Sequence, residues 1–259
     1  MIKSTSRTVR PPQDVHITEL TGSPGLLCGV NQKSWETRTR KKYLIEAWIW
    51  VVLCECVFAN PFEWFGCEGS ELAAVWARFF GIDEPDSWPP RSTLCETWRA
   101  TTATHLSDLL ELATVSEDSS KFGQSLLSAD SDVHKYRNEV YHIIKSFLTS
   151  ISGVEDIPQV RSIIEKSFAF ALQMSPQRTR VRITYPVVGS GWDGSSMKLL
   201  EDPDDDDDVT ENGVVSFVLN PGLTKWGDAH GKKLDQRCDI VKAKVKLERL
   251  DQMEGVSLR

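Results

Sequence analysis

The sequence predicts an α+β fold with its helices first and its sheet last. Two observations carry this. From residue 43 to Met174 the apolar residues recur at three- and four-residue steps, whereas after Pro176 they alternate with polar ones. A third observation sets the class: 259 residues with 40% hydrophobic and 26% charged side chains can bury a sizeable core and do not compose a disordered chain. The expected layout is a flexible arm (1–36), about five helices (37–176), a sheet of about three antiparallel strands (177–250) packed on the helices as one domain, and a tail (251–259).

The arm has no sustained period and carries the turn signal GSPG at 22–25. Its basic residues have no apolar run behind them, so it does not read as a secretory signal. The first helix, YLIEAWIWVVLCECVF (43–58), is the most apolar passage of the chain. It is too short for a bilayer, and Glu46 and Glu55 inside it would each cost about 2.5–3.5 kcal/mol there, which Leu, Ile and Val at about 0.3–0.6 kcal/mol each do not outweigh. Apolar on nearly every side, it is expected to be the central helix of a soluble core. The preceding RTRKK reads as a solvated lead-in. The sequence NPFEWFG then makes a tight aromatic corner.

A second helix is expected from Ser70, as its cap, to Phe80, with Leu72, Val75, Trp76, Phe79 and Phe80 inward. The third runs from about Ser92 to Ala113 on Leu94, Trp98, Thr101, Leu106, Leu109 and Leu110. The fourth has the cleanest period, Val133, Tyr136, Val140, Ile143, Ile144, Phe147, Leu148 and Ile151, closed by Ser152 and Gly153. The fifth, about 157–174, opens with Pro158, which suits a first turn. Three alternating stretches follow: RVRITYP, GVVSFVLNPG and DIVKAKVKLERL. The last sets Val241, Ala243, Val245 and Leu247 against Lys242, Lys244 and Lys246, which predicts one wet face.

Most chemistries find no footing. The run EDPDDDDDVTENG (201–213) has no register with both the Gly and the Glu of a calcium loop, and reads as a solvated linker. Cys54 and Cys56 lie about 200° apart on a helix and cannot grip one ion. His134 and His142 lack the glutamate of a zinc protease helix, and VVGSGWDGSS lacks a nucleophile elbow or a phosphate loop. No metal and no cofactor is expected. The six cysteines read as reduced thiols of an intracellular protein, cytoplasmic or nuclear. A net charge of −7 disfavours nucleic acid, unless Arg38, Arg40, Lys41 and Lys42 join Lys242, Lys244 and Lys246 on one face.

The loop 220–236 is richer. It is longer than a hairpin needs and gathers Lys225, Trp226, Asp228, His230 and Asp235. Nine Trp exceed the needs of the aromatic corner, and Trp is favoured at binding hot spots, so Trp192, Lys225 and Trp226 are the expected binding residues for a protein partner. The rival reading is catalytic, with His230 as general base oriented by Asp228 or Asp235.

Two blocks carry a family resemblance. WIWVVLCECVFANPFEWFG with LCETWRATT, and then FALQMSPQRTRVRITYP, SSMKLLEDPDD and VSFVLNPGLTKWGDAHGKKLDQRCDIVKAKV, resemble a large, much-expanded family of filamentous ascomycete proteins without known activity. The resemblance spans roughly 43–247. It implies a helical core in which Trp48, Trp50, Phe62, Trp64, Trp98 and Arg99 serve the fold, Arg99 in a buried ion pair or cap. Some members sit in subtelomeric accessory gene clusters of Aspergillus linked to hyphal surface, colony and biofilm morphology, an association that names no reaction; a non-catalytic interaction role is expected from the lack of a triad, metal set or cofactor loop beside an abundance of Trp.

Overall fold

In the computed structural model, which describes residues 38–81, 88–112, 132–155, 157–200 and 213–248, five α-helices precede six short β-strands. The fold is α+β as expected. The N-terminal arm, the acidic loop up to residue 212 and the C-terminal tail lie outside the described residues.

Helix α1 (Arg38–Cys56) is the central helix: Leu44, Ile45, Ile49 and Leu53 are fully buried. It begins earlier than expected, and the solvated lead-in is corrected. Arg40 and Lys41 are buried, because 40, 44 and 48 share one side of the helix and 41, 45 and 49 the adjoining one, so the continuous helix carries both cations inward. Of the two acidic residues, Glu55 is exposed and Glu46 is buried, where it accepts a hydrogen bond from Asn220 Nδ2 at 2.9 Å. Among the described residues no helix is long and apolar enough to cross a membrane.

The corner after α1 packs as one aromatic unit. Phe62 meets Trp76 and Trp98 edge-to-face at 5.9 and 6.0 Å, and Trp64 Nε1 donates to the Pro61 carbonyl and Ser175 Oγ, both at 2.8 Å. Helix α2 (Cys67–Phe80) starts at Gly66 rather than at a Ser70 cap: Gly66 takes a left-handed turn (φ 79°) and the Ser70 N–H already bonds its carbonyl. Only Gly69 and Trp76 of α2 are buried; Val75 and Phe79, expected inside, are exposed, Phe79 to 72%.

Helix α3 (Thr93–Leu112) is rotated relative to the expected stripe. Leu94 is 72% exposed and Thr101 exposed, while Cys95, Glu96, Arg99, Ala100, Ala103 and Leu106 face inward. The inward face belongs to an ion pair, which hydrophobic periodicity does not register. Arg99 Nε donates to Glu96 Oε2 at 2.8 Å, and Arg180 Nε to Glu96 Oε1 at 2.7 Å. The Arg99 guanidinium also donates to the carbonyls of Ser175, Gln177 and Thr179, and so caps the C-terminal end of α5, the negative end of its dipole. Helices α4 (Asp132–Ser152) and α5 (Pro158–Met174) form where expected, with Gly153 closing α4 at φ 66° and Pro158 opening α5; Ile143, expected on the α4 stripe, is 48% exposed, off the line of the buried Val140 and Ile144.

The single sheet is corrected to two sheets of three strands. β1 (Arg180–Thr184), β4 (Gly222–Trp226) and β5 (Arg237–Val241) form an antiparallel sheet in the order β1-β4-β5; β2 (Met197–Leu199), β6 (Ala243–Glu248) and β3 (Val214–Asn220) form a mixed one in the order β2-β6-β3. Physically this is one long hairpin whose two arms break at Pro221, which has no N–H to give a ladder, and at Lys242. β3 sends Phe217 and Leu219 into the helical core, while Val215 joins Met197, Ala243, Val245 and Leu247 in a second, smaller core. Because β6 is the middle strand, Lys246 and Glu248 are buried, and the expected wet lysine face exists only in part.

Candidate interaction site

The hairpin loop 227–236 is built to hold one shape. Gly227 and Gly231 take left-handed conformations (φ 89° and 73°), and a Cβ on Gly227 would stand 2.8 Å from the Lys232 carbonyl oxygen. The N–H of Gly227 bonds Gln236, that of Asp228 bonds Lys232, and that of Gln236 bonds Lys233, all to carbonyl oxygens. Asp228 Oδ1 accepts the N–H groups of His230 and Lys232 at 2.9 and 3.0 Å, and these bonds, that of Lys232 first, hold its carboxyl below the usual range. Asp228 therefore serves the turn. His230 and Asp235 are exposed on it.

At the foot of the loop, Trp226 is buried, with the Arg91 guanidinium 5.3 Å above its ring. Arg180, Trp226 and Arg237 face one another across the three strands, and Arg182, Thr224 and Asp239 form the next row. Residues directly opposite share a face, so all six side chains lie on one side of the sheet. Trp88 lies against this side, under Arg182 at 4.7 Å and Arg180 at 5.5 Å. Asp239 Oδ1 accepts from Thr224 Oγ1 at 2.6 Å and from Arg237 at 3.0 Å. Gly231 rests on Arg178, whose carbonyl oxygen would be 3.2 Å from a Cβ there.

The outcome is a basic rim. Arg91, Arg178, Arg182, Arg237, Lys232 and Lys233 are exposed or half-buried around the hairpin end, against Asp228 and Asp239, already engaged, and Asp235. Arg180 stays below, spent on Glu96.

The structure separates the three residues expected to bind. Lys225 pairs with Val181 and Cys238 in register and, one residue before Trp226, projects from the opposite face of the sheet. Trp192 packs on the smaller core beside Val218 and Leu199, next to the Gly191–Val214 bridge at the far end of the β3–β4 arm. Trp226 is covered rather than offered. The arginines of the rim were missed although a signal existed: Arg178, Arg180 and Arg182 alternate in QRTRVRIT, which places them on one side of an extended chain. The other basic surface weighed from the sequence does not form, since Arg40, Lys41 and Lys246 are buried.

Among the described residues no group of three or more His, Cys, Asp or Glu could hold a metal ion. The hollow between the aromatic corner and β1, lined by Asn60, Trp88, Arg99 and Arg182, has a volume of about 20 Å³, room for one water. Burial pushes the Cys54 thiol up to about 12, against a hydrogen bond from Tyr185 that lowers it, so it is no nucleophile. Compared with known proteins, this chain matches no family model, no curated protein and no solved structure.

Proposed function

We propose that this chain is a non-catalytic interaction protein that holds an acidic segment of a protein partner against the arginine rim at its hairpin end. The observation that carries the reading is the concentration of exposed cations around two ring-backed guanidiniums, Arg91 on Trp226 and Arg182 on Trp88, in a chain of net charge −7. An arginine stacked on a fixed ring is pre-ordered, so less side-chain entropy is lost when its fork meets a carboxylate. A nucleic-acid partner is less well served. Trp88 and Trp226 are buried under the arginines and present no open face for a base to stack on.

The resemblance to filamentous ascomycete proteins supplies the setting of the proposal: an intracellular accessory protein acting on hyphal surface, colony or biofilm morphology. The catalytic reading gains no support of this kind, because the Asp228 carboxylate is committed to its own turn.

The test is fluorescence anisotropy with a labelled synthetic peptide rich in Asp and Glu. Binding that weakens with salt and is lost in the double variant Arg91→Glu, Arg237→Glu supports the reading; both positions are exposed, so the fold persists. Equal binding by the variant, or displacement of the peptide by an unrelated DNA duplex, overturns it.

A further inference from the structure

A second concentration of cations lies on the helical layer, in the groove between α4 and α5. Arg137, Tyr141 and Lys145 recur at four-residue steps on α4 and so form one stripe. Across from them, Arg161 of α5 places its guanidinium 5.3 Å from the centroid of the Tyr141 ring, and Lys145 Nζ stands 5.9 Å from the same centroid. Arg137, Asn138, Arg161 and Glu165 line the groove with Tyr141 and Ile164. Three cations thus gather round one phenol ring with one carboxylate beside them. Neither Arg137 nor Arg161 comes within ion-pair distance of a carboxylate among the described residues.

The arrangement is costly without a ligand. Burial and the neighbouring Arg161 both lower the Arg137 pKa, and Glu165 opposes them. Asn138 is already engaged with His134, its Nδ2 lying 3.0 Å from Nδ1 of that ring. The remaining donors are two planar forks and an ammonium, approaching from two helices.

We propose that this groove binds a phosphate group between the guanidiniums of Arg137 and Arg161, with Lys145 at its edge. Charge decides between phosphate and carboxylate. Arg137 and Arg161 against Glu165 leave one positive charge in the groove, and Lys145, over the Tyr141 ring and outside the lining, adds a second at its edge; a phosphate monoester at about −1.5 to −2 offsets both and a single carboxylate does not. Geometry points the same way. One fork saturates a carboxylate, whereas a tetrahedral group has oxygens for two forks and an ammonium. The phosphate is either free or carried by a phosphorylated side chain of another protein. This site is independent of the hairpin rim.

The test is isothermal titration of the full chain with inorganic phosphate at constant ionic strength, with chloride as the control anion and a phosphoserine peptide and its unphosphorylated form as further arms. The expected result is saturable phosphate binding that Arg161→Gln weakens about tenfold or more, the loss of a charge-assisted contact. Arg161 is exposed, and an unchanged unfolding midpoint of the variant shows that its fold persists. Arg137→Lys keeps the charge but removes the fork, and weakens binding as well. Tighter binding of the phosphopeptide than of phosphate identifies a phosphorylated partner, and the reverse order a free anion. Phosphate binding no stronger than chloride, or unchanged in Arg161→Gln, overturns the proposal.

Discussion

Replacing Glu96 with Gln tests the joint on which the two halves of the fold depend. Glu96 is 1% exposed; its Oε2 accepts from Arg99 Nε at 2.8 Å and its Oε1 from Arg180 Nε at 2.7 Å, with Arg180 Nη2 also against Oε1. The substitution keeps the shape, removes the negative charge, and turns one acceptor into a donor facing a donor. Arg99 retains three backbone carbonyls and stays largely satisfied. Arg180 does not. It is left buried with the face of Trp88 at 5.5 Å and the Cys95 sulfur at 4.0 Å. Removing one partner of a buried pair costs about 3–5 kcal/mol, a large part of the roughly 5–15 kcal/mol that holds a domain together. Urea unfolding followed by tryptophan fluorescence reads this as a lower midpoint at unchanged slope. Salt should leave the difference nearly intact, because the pair is out of water. Adding Arg180→Met to Glu96→Gln should recover part of the loss, as the orphaned charge is gone. A cost below about 1 kcal/mol, or one that disappears in high salt, would show that the joint is held by packing alone.

Other consequences follow from single positions. Gly69→Ala drives a methyl group into the Phe62 carbonyl oxygen beneath α2, and should cost about 1–3 kcal/mol or more in the same unfolding assay; a neutral result would mean the corner can open. Asp193, fully solvated, is held at about 2 by the hydroxyls of Ser195 and Ser196 and then by the Ser195 N–H. Its folded pKa lies below the ordinary 3.8, so its contribution is present at neutral pH and lost as the pH falls from about 4 through about 2. An NMR titration should show that midpoint moving back towards 3.8 when both serines become alanine; an unmoved midpoint refutes the assignment. Iodoacetamide should label Cys67 and Cys238, both exposed, before Cys54 and Cys95, read site by site by mass spectrometry. Equal rates would contradict the burial of Cys95.

The five helices were legible because apolar residues recur at helical steps in each, and α5 buries its stripe from Val160 to Ala171, while α4 buries or half-buries its own except at Ile143. What escaped has physical causes. In α3 the inward positions include Glu96 and Arg99, so the hydrophobic period pointed to a face that is in fact outside, and Leu94 was misplaced with it. The lysine alternation in the last stretch was real, but alternation cannot tell an edge strand from a middle one. β6 lies between β2 and β3, which buries Lys246. The break of the long hairpin into two sheets was written at Pro221, which reads as a turn as readily as a bend. The loop expected over 220–236 was drawn too long, because Gly222–Trp226 is β4 and only 227–236 connects the strands; a five-residue alternation bounded by glycines was not read as a strand. Its Trp and Asp serve the loop's own foot and turn, and the cations around it came from three separate stretches of chain, at 91, 178–182 and 232–237.

The same separation in sequence explains why net charge was a poor guide to partners. The acidic run joins Leu200, whose N–H bonds the Val245 carbonyl, to Gly213, beside the first residue of β3. The basic rim sits beyond the last residue of β4. Between Gly213 and the rim runs one arm of the hairpin, β3 of seven residues followed by β4 of five, at about 3.3 Å per residue. Each of these strands is therefore longer than the Debye length of about 8–10 Å at physiological salt. A partner at the hairpin end is thus expected to answer to Arg91, Arg182 and Arg237 rather than to the sum over the chain. If that holds, replacing the aspartates at 204–208 with asparagine should change the affinity of an acidic peptide for the rim by less than charge reversal at Arg91 and Arg237 does. A larger effect from the aspartates would mean that the two regions act on one another, and that the rim is masked rather than open.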